Sequence, residues 1–186
     1  NIAEADDDAR EAMRVEMGEP YRTLLGHFRH EAGHFYHDVL VAESGRGPEF
    51  AALFGDPAQS YGRALRRHYA QGPAPGWPDT HVSAYATAHP WEDFAETWAH
   101  WLHMVDGLET AARFGLADAI DPYAPQPVEG LVAAWVPLSA AMNAMNRAMG
   151  QADFYPFTLG PRVVEKIAFV QALRGDALLR AERAAA

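Results

Sequence analysis

The sequence contains no cysteine, and this absence removes several kinds of chemistry from the chain. Disulfide bonds, thiolate nucleophiles and thiolate metal ligands are all excluded within its 186 residues. Any metal ion must therefore be held by histidine, aspartate or glutamate side chains.

Basic charge and long apolar runs are also scarce. Lys and Arg number 15 against 25 Asp and Glu, which gives a formal net charge of -10. This balance argues against nucleic acid as a partner, because phosphate binding needs clustered Lys and Arg. No apolar run approaches the ~18–20 residues of a membrane span, and no signal peptide is visible. We therefore expect a cytoplasmic protein with no nucleic-acid partner and no membrane partner, while the oligomeric state stays open.

The composition is that of a folded globular domain. Hydrophobic residues make up 49% of the chain and charged residues 22%, which is typical of a soluble protein and not of a disordered one. The length suits one domain, and no repeat or long linker divides it. We expect a single domain over residues 1–186. The chain begins with Asn and not Met, so we expect it to be a trimmed fragment of a longer protein.

Helical spacing of apolar residues dominates the sequence. Proline- and glycine-rich stretches at 71–79 and 121–127 read as loops. The alternating, β-branched segment 80–88 favours an extended strand, and Asn1–Ala5 resembles a short strand end. The fold class is therefore mainly α, with at most a small β element near the N-terminus. The predicted helices cover about 6–17, 21–42, 48–54, 57–71, 90–106, 128–149 and 161–183.

The pattern H-E-x-x-H occurs once, as His30-Glu31-Ala32-Gly33-His34, within the second predicted helix. Residues four apart lie on one face of an α-helix, so both imidazoles can reach one metal ion. Glu31 lies beside the first histidine, where it can take a proton from a water molecule at the metal. Gly33 permits a close approach by another part of the backbone.

Two histidines leave a catalytic zinc ion short of protein ligands, since such ions usually have three. His27 and His37, on the same helix, are poorly placed to complete the shell, and the longer pattern HExxHxxGxxH is absent. The aromatic helix 90–106 is the best source of the third ligand. It carries one polar stripe, formed by Glu92, Glu96, His100 and His103.

HExxH on one helix with E-x-x-x-E on a later helix resembles the gluzincin metallopeptidases. The resemblance implies a zincin-like domain in which His30, His34 and Glu92 bind Zn²⁺ and Glu96 orients one of the two histidines. Tyr85 lies seven residues before Glu92. In lethal-factor-like gluzincins a tyrosine at that position stabilises the oxyanion.

Two longer stretches sharpen this resemblance. "PYRTLLGHFRHEAGHFY" and "SAYATAHPWEDFAETWAHWLH" are similar to the bacterial "putative zinc-binding metallopeptidase" family. The likeness covers residues 1–110 most closely. Members often carry a cysteine-rich zinc ribbon ahead of this domain, and that part is absent from this cysteine-free chain.

The resemblance and the motif together imply a zinc-dependent hydrolase acting on peptides or proteins, with Glu31 and Tyr85 as catalytic residues. A helical di-iron carboxylate protein is one alternative, because Glu31 and His34 also form a Glu-x-x-His element. A non-catalytic zinc-binding module is another. His89, just before Pro90, lies either at the cleft or in a capping or surface position.

Overall fold

The computed structural model describes residues 5–17, 19–42, 45–118, 121 and 127–185, and no strand occurs among them. A π-helical turn at Asp38–Ala42 continues the second helix, and 3-10 turns at Trp77–Asp79 and Tyr85–Ala88 precede the fifth. The mainly α prediction is therefore confirmed, and most of the expected strand end at Asn1–Ala5 lies outside the described residues. The α-helices are α1 (Asp7–Met17), α2 (Leu24–His37), α3 (Gly47–Phe54), α4 (Tyr61–Gln71), α5 (Pro90–Arg113), α6 (Val128–Ala148) and α7 (Pro161–Ala185).

Helix α2 begins with a side-chain cap. The Thr23 hydroxyl accepts a hydrogen bond of 2.9 Å from the Gly26 amide, which satisfies one of the amides left open at a helix start. The predicted helix 21–42 is thus observed, three residues shorter at its start and π-helical in its last turn. His30 and Gly33 form the buried side of α2.

Helix α5 is the centre of the fold and packs against α2, α3, α6 and α7. The His89 ring accepts a hydrogen bond of 3.1 Å from the Trp91 amide, and Pro90 occupies the first turn, where its missing N–H does no harm. The helix runs past the predicted end at 106 to Arg113 because Gly107 is a packing residue and not a stop. A Cβ built on Gly107 would stand 2.5 Å from the Trp135 ring of α6.

Two local predictions were wrong. Residues 80–88 are not extended: they form bends and a 3-10 turn, in which the Ser83 hydroxyl accepts a hydrogen bond of 3.1 Å from the Ala86 amide. Hydroxyl side chains that bond the local backbone compete with strand pairing. Helix α4 starts at Tyr61 instead of 57, since Asp56 accepts a hydrogen bond of 2.9 Å from the Ala58 amide and turns the chain there.

Helix α6 is the one described helix that is long and apolar enough, by length and composition, to cross a membrane. Core helices of folded domains also pass that test. Here Leu131 and Trp135 are fully buried, and α6 packs against α5 and α7. Helices α3, α5, α6 and α7 share one aromatic and aliphatic core. One face of α5 packs against this core, and another face packs against α2.

Candidate metal centre

Three side chains from two helices bring possible ligand atoms together. His30 Nε2 lies 3.0 Å from Glu92 Oε2, and His34 Nε2 lies 3.5 Å from the same oxygen. One ligand atom from each of these residues falls within 4.8 Å of the others. These are the three residues that the gluzincin resemblance implied as zinc ligands. Their assignment as ligands stays a prediction, whereas their convergence is a feature of the structure.

The crossing of α2 and α5 produces this convergence. His30 and His34 are one turn apart on α2, and Glu92 is in the first turn of α5. A Cβ built on Gly33 would stand 2.8 Å from Ala95 Cα, which only a glycine avoids. The sequence predicted a close backbone approach at Gly33, and the partner is a helix.

The charge arrangement favours a cation between the carboxylates and the histidines. Burial alone would lower the pKa of His30, but contacts with Glu92 and Glu96 raise it to about 10. Burial alone would raise the pKa of Glu92, but contacts with His30, His34 and Tyr61 hold it well below its usual range. A positive charge is therefore stabilised here, whether a proton or a metal ion carries it.

The residues present fit a zinc ion. Glu92 is 1% exposed, and its Oε2 atom is buried without a hydrogen-bond partner among the described residues although two imidazoles face it. A buried carboxylate oxygen needs a cation beside it: in the metal-free protein a protonated His30 supplies that charge, and a metal ion between the three side chains would take its place. Two imidazole nitrogens and one carboxylate oxygen form the donor set of known catalytic zinc sites.

Glu96 contacts one of the histidines, as the resemblance implied. Glu96 Oε1 lies 2.6 Å from His30 Nδ1, and its other oxygen accepts a hydrogen bond of 2.6 Å from the Ser83 hydroxyl. This contact occupies the Nδ1 atom of His30 and directs Nε2 toward Glu92. Ser83 was missed from the sequence, because its contact depends on the bends at 80–84.

His34 is held differently. Its Nδ1 atom is buried and has no hydrogen-bond partner in the part of the chain that the structure describes. The ring instead packs on Trp91, with ring centroids 4.1 Å apart. Trp91, which follows the cap of α5, therefore orients the second histidine by contact.

Glu31 lies at the open side of the site. Its side chain is 61% exposed, and Oε1 is 2.9 Å from His27 Nε2. A water molecule can therefore reach the carboxylate. His27 flanks the site through Glu31 and does not join the three convergent residues, in agreement with its predicted position.

Tyr85 borders the same site from the 3-10 turn before α5. Its ring centroid is 6.0 Å from that of His30. Burial first, and the nearby Glu92 carboxylate second, raise the pKa of Tyr85. Its phenol therefore keeps its proton at neutral pH and can donate a hydrogen bond.

Tyr61 is a site residue that the sequence did not indicate. Its hydroxyl donates a hydrogen bond of 2.6 Å to Glu92 Oε1. Tyr61 is the first residue of α4, a helix without a recognisable metal-binding motif. It is on a different helix from Glu92, so helical spacing does not connect the two residues. No sequence signal could have identified it, since the contact exists only because α4 packs beside the start of α5.

The remaining histidines have other surroundings. His37 packs against Phe50 and Phe94, away from the three convergent residues. His89 caps α5, and its other ring nitrogen lies 3.1 Å from the Gln59 carbonyl. His100, further along the predicted polar stripe, is buried with its ring nitrogen 2.8 Å from the Tyr155 hydroxyl.

His103 is the last member of that stripe. It lies two turns beyond Glu96 and contacts Arg29. The polar stripe of α5 therefore divides: its first two members border the candidate metal centre, and its last two contact Tyr155 and Arg29.

A buried ion pair holds the start of α5 from the opposite side. Lys166 Nζ on α7 lies 2.6 Å from Asp93 Oδ2 and donates a further hydrogen bond of 2.7 Å to the Thr80 carbonyl. Both charged side chains are almost fully buried. The pair ties α7, α5 and the segment before Tyr85 together, and so fixes the turn that carries Glu92.

Comparisons with known proteins agree with this geometry. Three related proteins, one from Mycobacterium bovis and two from strains of Mycobacterium tuberculosis, are each described as uncharacterized. Each is 51% identical to this chain over 176 residues, a match that covers 91% of this chain and 52% of the relative. The chain thus spans about half the length of these relatives. No solved structure matches it.

The family comparison is more informative than the individual relatives. Residues 1–173 match the family described as "Putative zinc-binding metallo-peptidase". This match spans both helices that form the candidate metal centre, and it agrees with the resemblance recognised in the sequence. The chain belongs to this "Putative zinc-binding metallo-peptidase" family.

Proposed function

We propose that this chain is a zinc-dependent peptidase domain of the gluzincin type, in which His30, His34 and Glu92 bind one Zn²⁺. The observation that carries the proposal is the buried Glu92 Oε2 atom, which lies 3.0 and 3.5 Å from two imidazole nitrogens and has no hydrogen-bond partner in the described structure. A zinc ion held there would activate a water molecule and polarise a peptide carbonyl.

The other residues of the site would supply proton transfer and charge stabilisation. Glu31, exposed and oriented by His27, takes the proton from the attacking water and later passes it to the leaving amine. Tyr85 donates a hydrogen bond to the carbonyl oxygen as negative charge develops on it. Glu96 keeps His30 in the tautomer that presents Nε2.

The proposed substrates are peptides or proteins, and the proposed compartment is the cytoplasm. Both rest on the family and the composition.

The test is Glu31→Gln in the zinc-loaded protein, measured on a peptide library. We expect one bound zinc per chain and a loss of turnover of about 10²–10⁴-fold, the usual contribution of a general base. Glu129→Gln, a remote exposed glutamate on α6, is the matched control and should behave like the wild type. Wild-type turnover by Glu31→Gln would contradict the mechanism.

Metal analysis of the same samples decides between the proposal and its alternatives. One zinc per chain favours the peptidase, and two irons favour a di-iron carboxylate protein. In the described part of the chain, a single group of three ligand-type side chains converges, whereas a di-iron centre needs more carboxylates. A chain that binds zinc tightly but cleaves no library peptide would be a non-catalytic module.

A further inference from the structure

We propose that Tyr61 is a positioning residue that makes Glu92 bind the metal through one oxygen only. This inference rests on the proposed zinc site, since it concerns how one of its ligands is held. It assigns a role to helix α4, which no motif in the sequence connects with metal binding.

The two oxygens of Glu92 have different surroundings. Oε1 accepts a hydrogen bond of 2.6 Å from the Tyr61 hydroxyl, whereas Oε2 faces His30 Nε2 and His34 Nε2. A carboxylate can bind a metal ion through one oxygen or through both. A short hydrogen bond to Oε1 turns that atom away from the ion and leaves Oε2 as the ligand.

Tyr61 is itself held in place by aromatic contacts. Its ring meets the His89 ring edge to face at 5.3 Å and the Trp91 ring at 5.7 Å. His89 and Trp91 are the cap and the second residue of α5. The tyrosine is therefore packed on one side against the turn that carries Glu92, which favours the position of its hydroxyl beside Oε1.

This geometry separates the roles of the two tyrosines at the site. Tyr61 contacts the ligand carboxylate, so its loss should affect metal binding before any substrate is present. Tyr85 is proposed to contact the substrate carbonyl and also interacts with Glu92, so its loss should lower turnover far more than it lowers zinc affinity. If Tyr61 had only a structural role, its loss would affect neither zinc affinity nor turnover more than it affects stability.

The experiment compares Tyr61→Phe, Tyr85→Phe and wild type in metal-free form. Zinc dissociation constants are measured by competition with a chromophoric chelator, and cobalt-loaded samples are compared by their visible absorption, which reports coordination number. We expect Tyr61→Phe to weaken zinc binding by about 10–100-fold, as loss of a hydrogen bond to a metal ligand typically does. Its cobalt spectrum should shift toward higher coordination, and Tyr85→Phe should change both quantities less than Tyr61→Phe does.

Tyr69→Phe is the matched control, since Tyr69 lies two turns along α4 with its side chain 65% exposed. It should bind zinc as the wild type does. Wild-type zinc affinity and an unchanged cobalt spectrum in Tyr61→Phe would overturn the inference. So would a loss of affinity matched by an equal loss of metal-free stability, because that pattern indicates a structural role.

Failure of the inference is distinct from failure of the proposed function. A wild-type chain that binds no zinc would refute the metal site itself. A wild-type chain that binds zinc, beside a Tyr61→Phe variant with the same affinity, would refute only the role of Tyr61.

Discussion

Gly33 on α2 lies directly against Ala95 on α5, so that a Cβ added at Gly33 would stand 2.8 Å from Ala95 Cα. The two helices meet at this point, and the meeting brings His30 and His34 within reach of Glu92. A motif position that carries no chemistry of its own therefore controls the distance between the two halves of the site.

Gly33→Ala should force α2 away from α5. Because the obstructing atoms belong to the backbone of Ala95 and to the Trp98 side chain near its root, we expect destabilisation of about 1–3 kcal/mol and weaker zinc binding. Urea unfolding and chelator competition measure the two effects. Gly175→Ala on α7 is the control, since a Cβ there meets nothing within 4 Å and should raise stability slightly. Equal behaviour of the two variants would show that the close contact is unimportant.

Glu96→Gln should weaken zinc binding by about 10–100-fold, since a neutral amide supports His30 less well than a carboxylate does. Ser83→Ala removes only the hydroxyl that holds the far oxygen of Glu96, and should have a smaller effect in the same direction. Chelator competition measures both. A larger effect for Ser83→Ala than for Glu96→Gln would contradict this order.

Acid should destabilise the metal-free protein through its buried histidines. Burial lowers the pKa of His100 to about 4 and that of His103 to about 3, from an ordinary value near 6.5. The unfolded chain then binds more protons below pH 6.5, so this contribution to stability is complete above about pH 6.5 and is lost as the pH falls toward 4.

His100→Gln isolates that contribution. Between pH 6.5 and 4 its free energy of unfolding should depend less steeply on pH than that of the wild type, by up to about 1.4 kcal/mol per pH unit. Urea titrations in the presence of a chelator give both slopes, and carboxylates common to both proteins cancel in the comparison. Parallel slopes would show that His100 is not kept neutral by burial.

Lys166→Met should be strongly destabilising, because it leaves the Asp93 carboxylate buried without its cation. Loss of one partner of a buried pair typically costs about 3–5 kcal/mol. Replacing both residues, in Lys166→Met with Asp93→Leu, should restore most of this stability, since no charge then remains buried. Thermal unfolding measures the three variants, and a double variant as unstable as the single one would contradict the explanation.

Zinc itself should stabilise the fold, because its ligands come from two helices that unfolding separates. At a free zinc concentration of 100 times the dissociation constant, the expected gain is about 2.7 kcal/mol. The melting temperature should fall on addition of a chelator and recover with zinc. In His34→Ala this response should be largely lost, and a full response in that variant would argue against His34 as a ligand.

Most helices could be predicted from local patterns, but their ends depended on contacts. Gly107 reads as a helix stop in sequence, yet α5 continues because that glycine accommodates Trp135. Residues 80–88 have strand-like alternation, yet the Ser83 hydroxyl accepts a hydrogen bond from the Ala86 amide three residues further on and holds the chain in a turn. In both cases a tertiary or side-chain contact outweighed local propensity.

The sequence by itself determined the histidine pair, because a spacing of four on a helix places His30 and His34 on one face whatever surrounds them. It also limited the metal ligands to nitrogen and oxygen by containing no cysteine. Only the tertiary structure decided which carboxylate of α5 meets the histidines, and that Tyr61 and Ser83 hold Glu92 and Glu96. Those relationships join residues on separate elements, and they are set by how closely the helices approach, which no local pattern encodes.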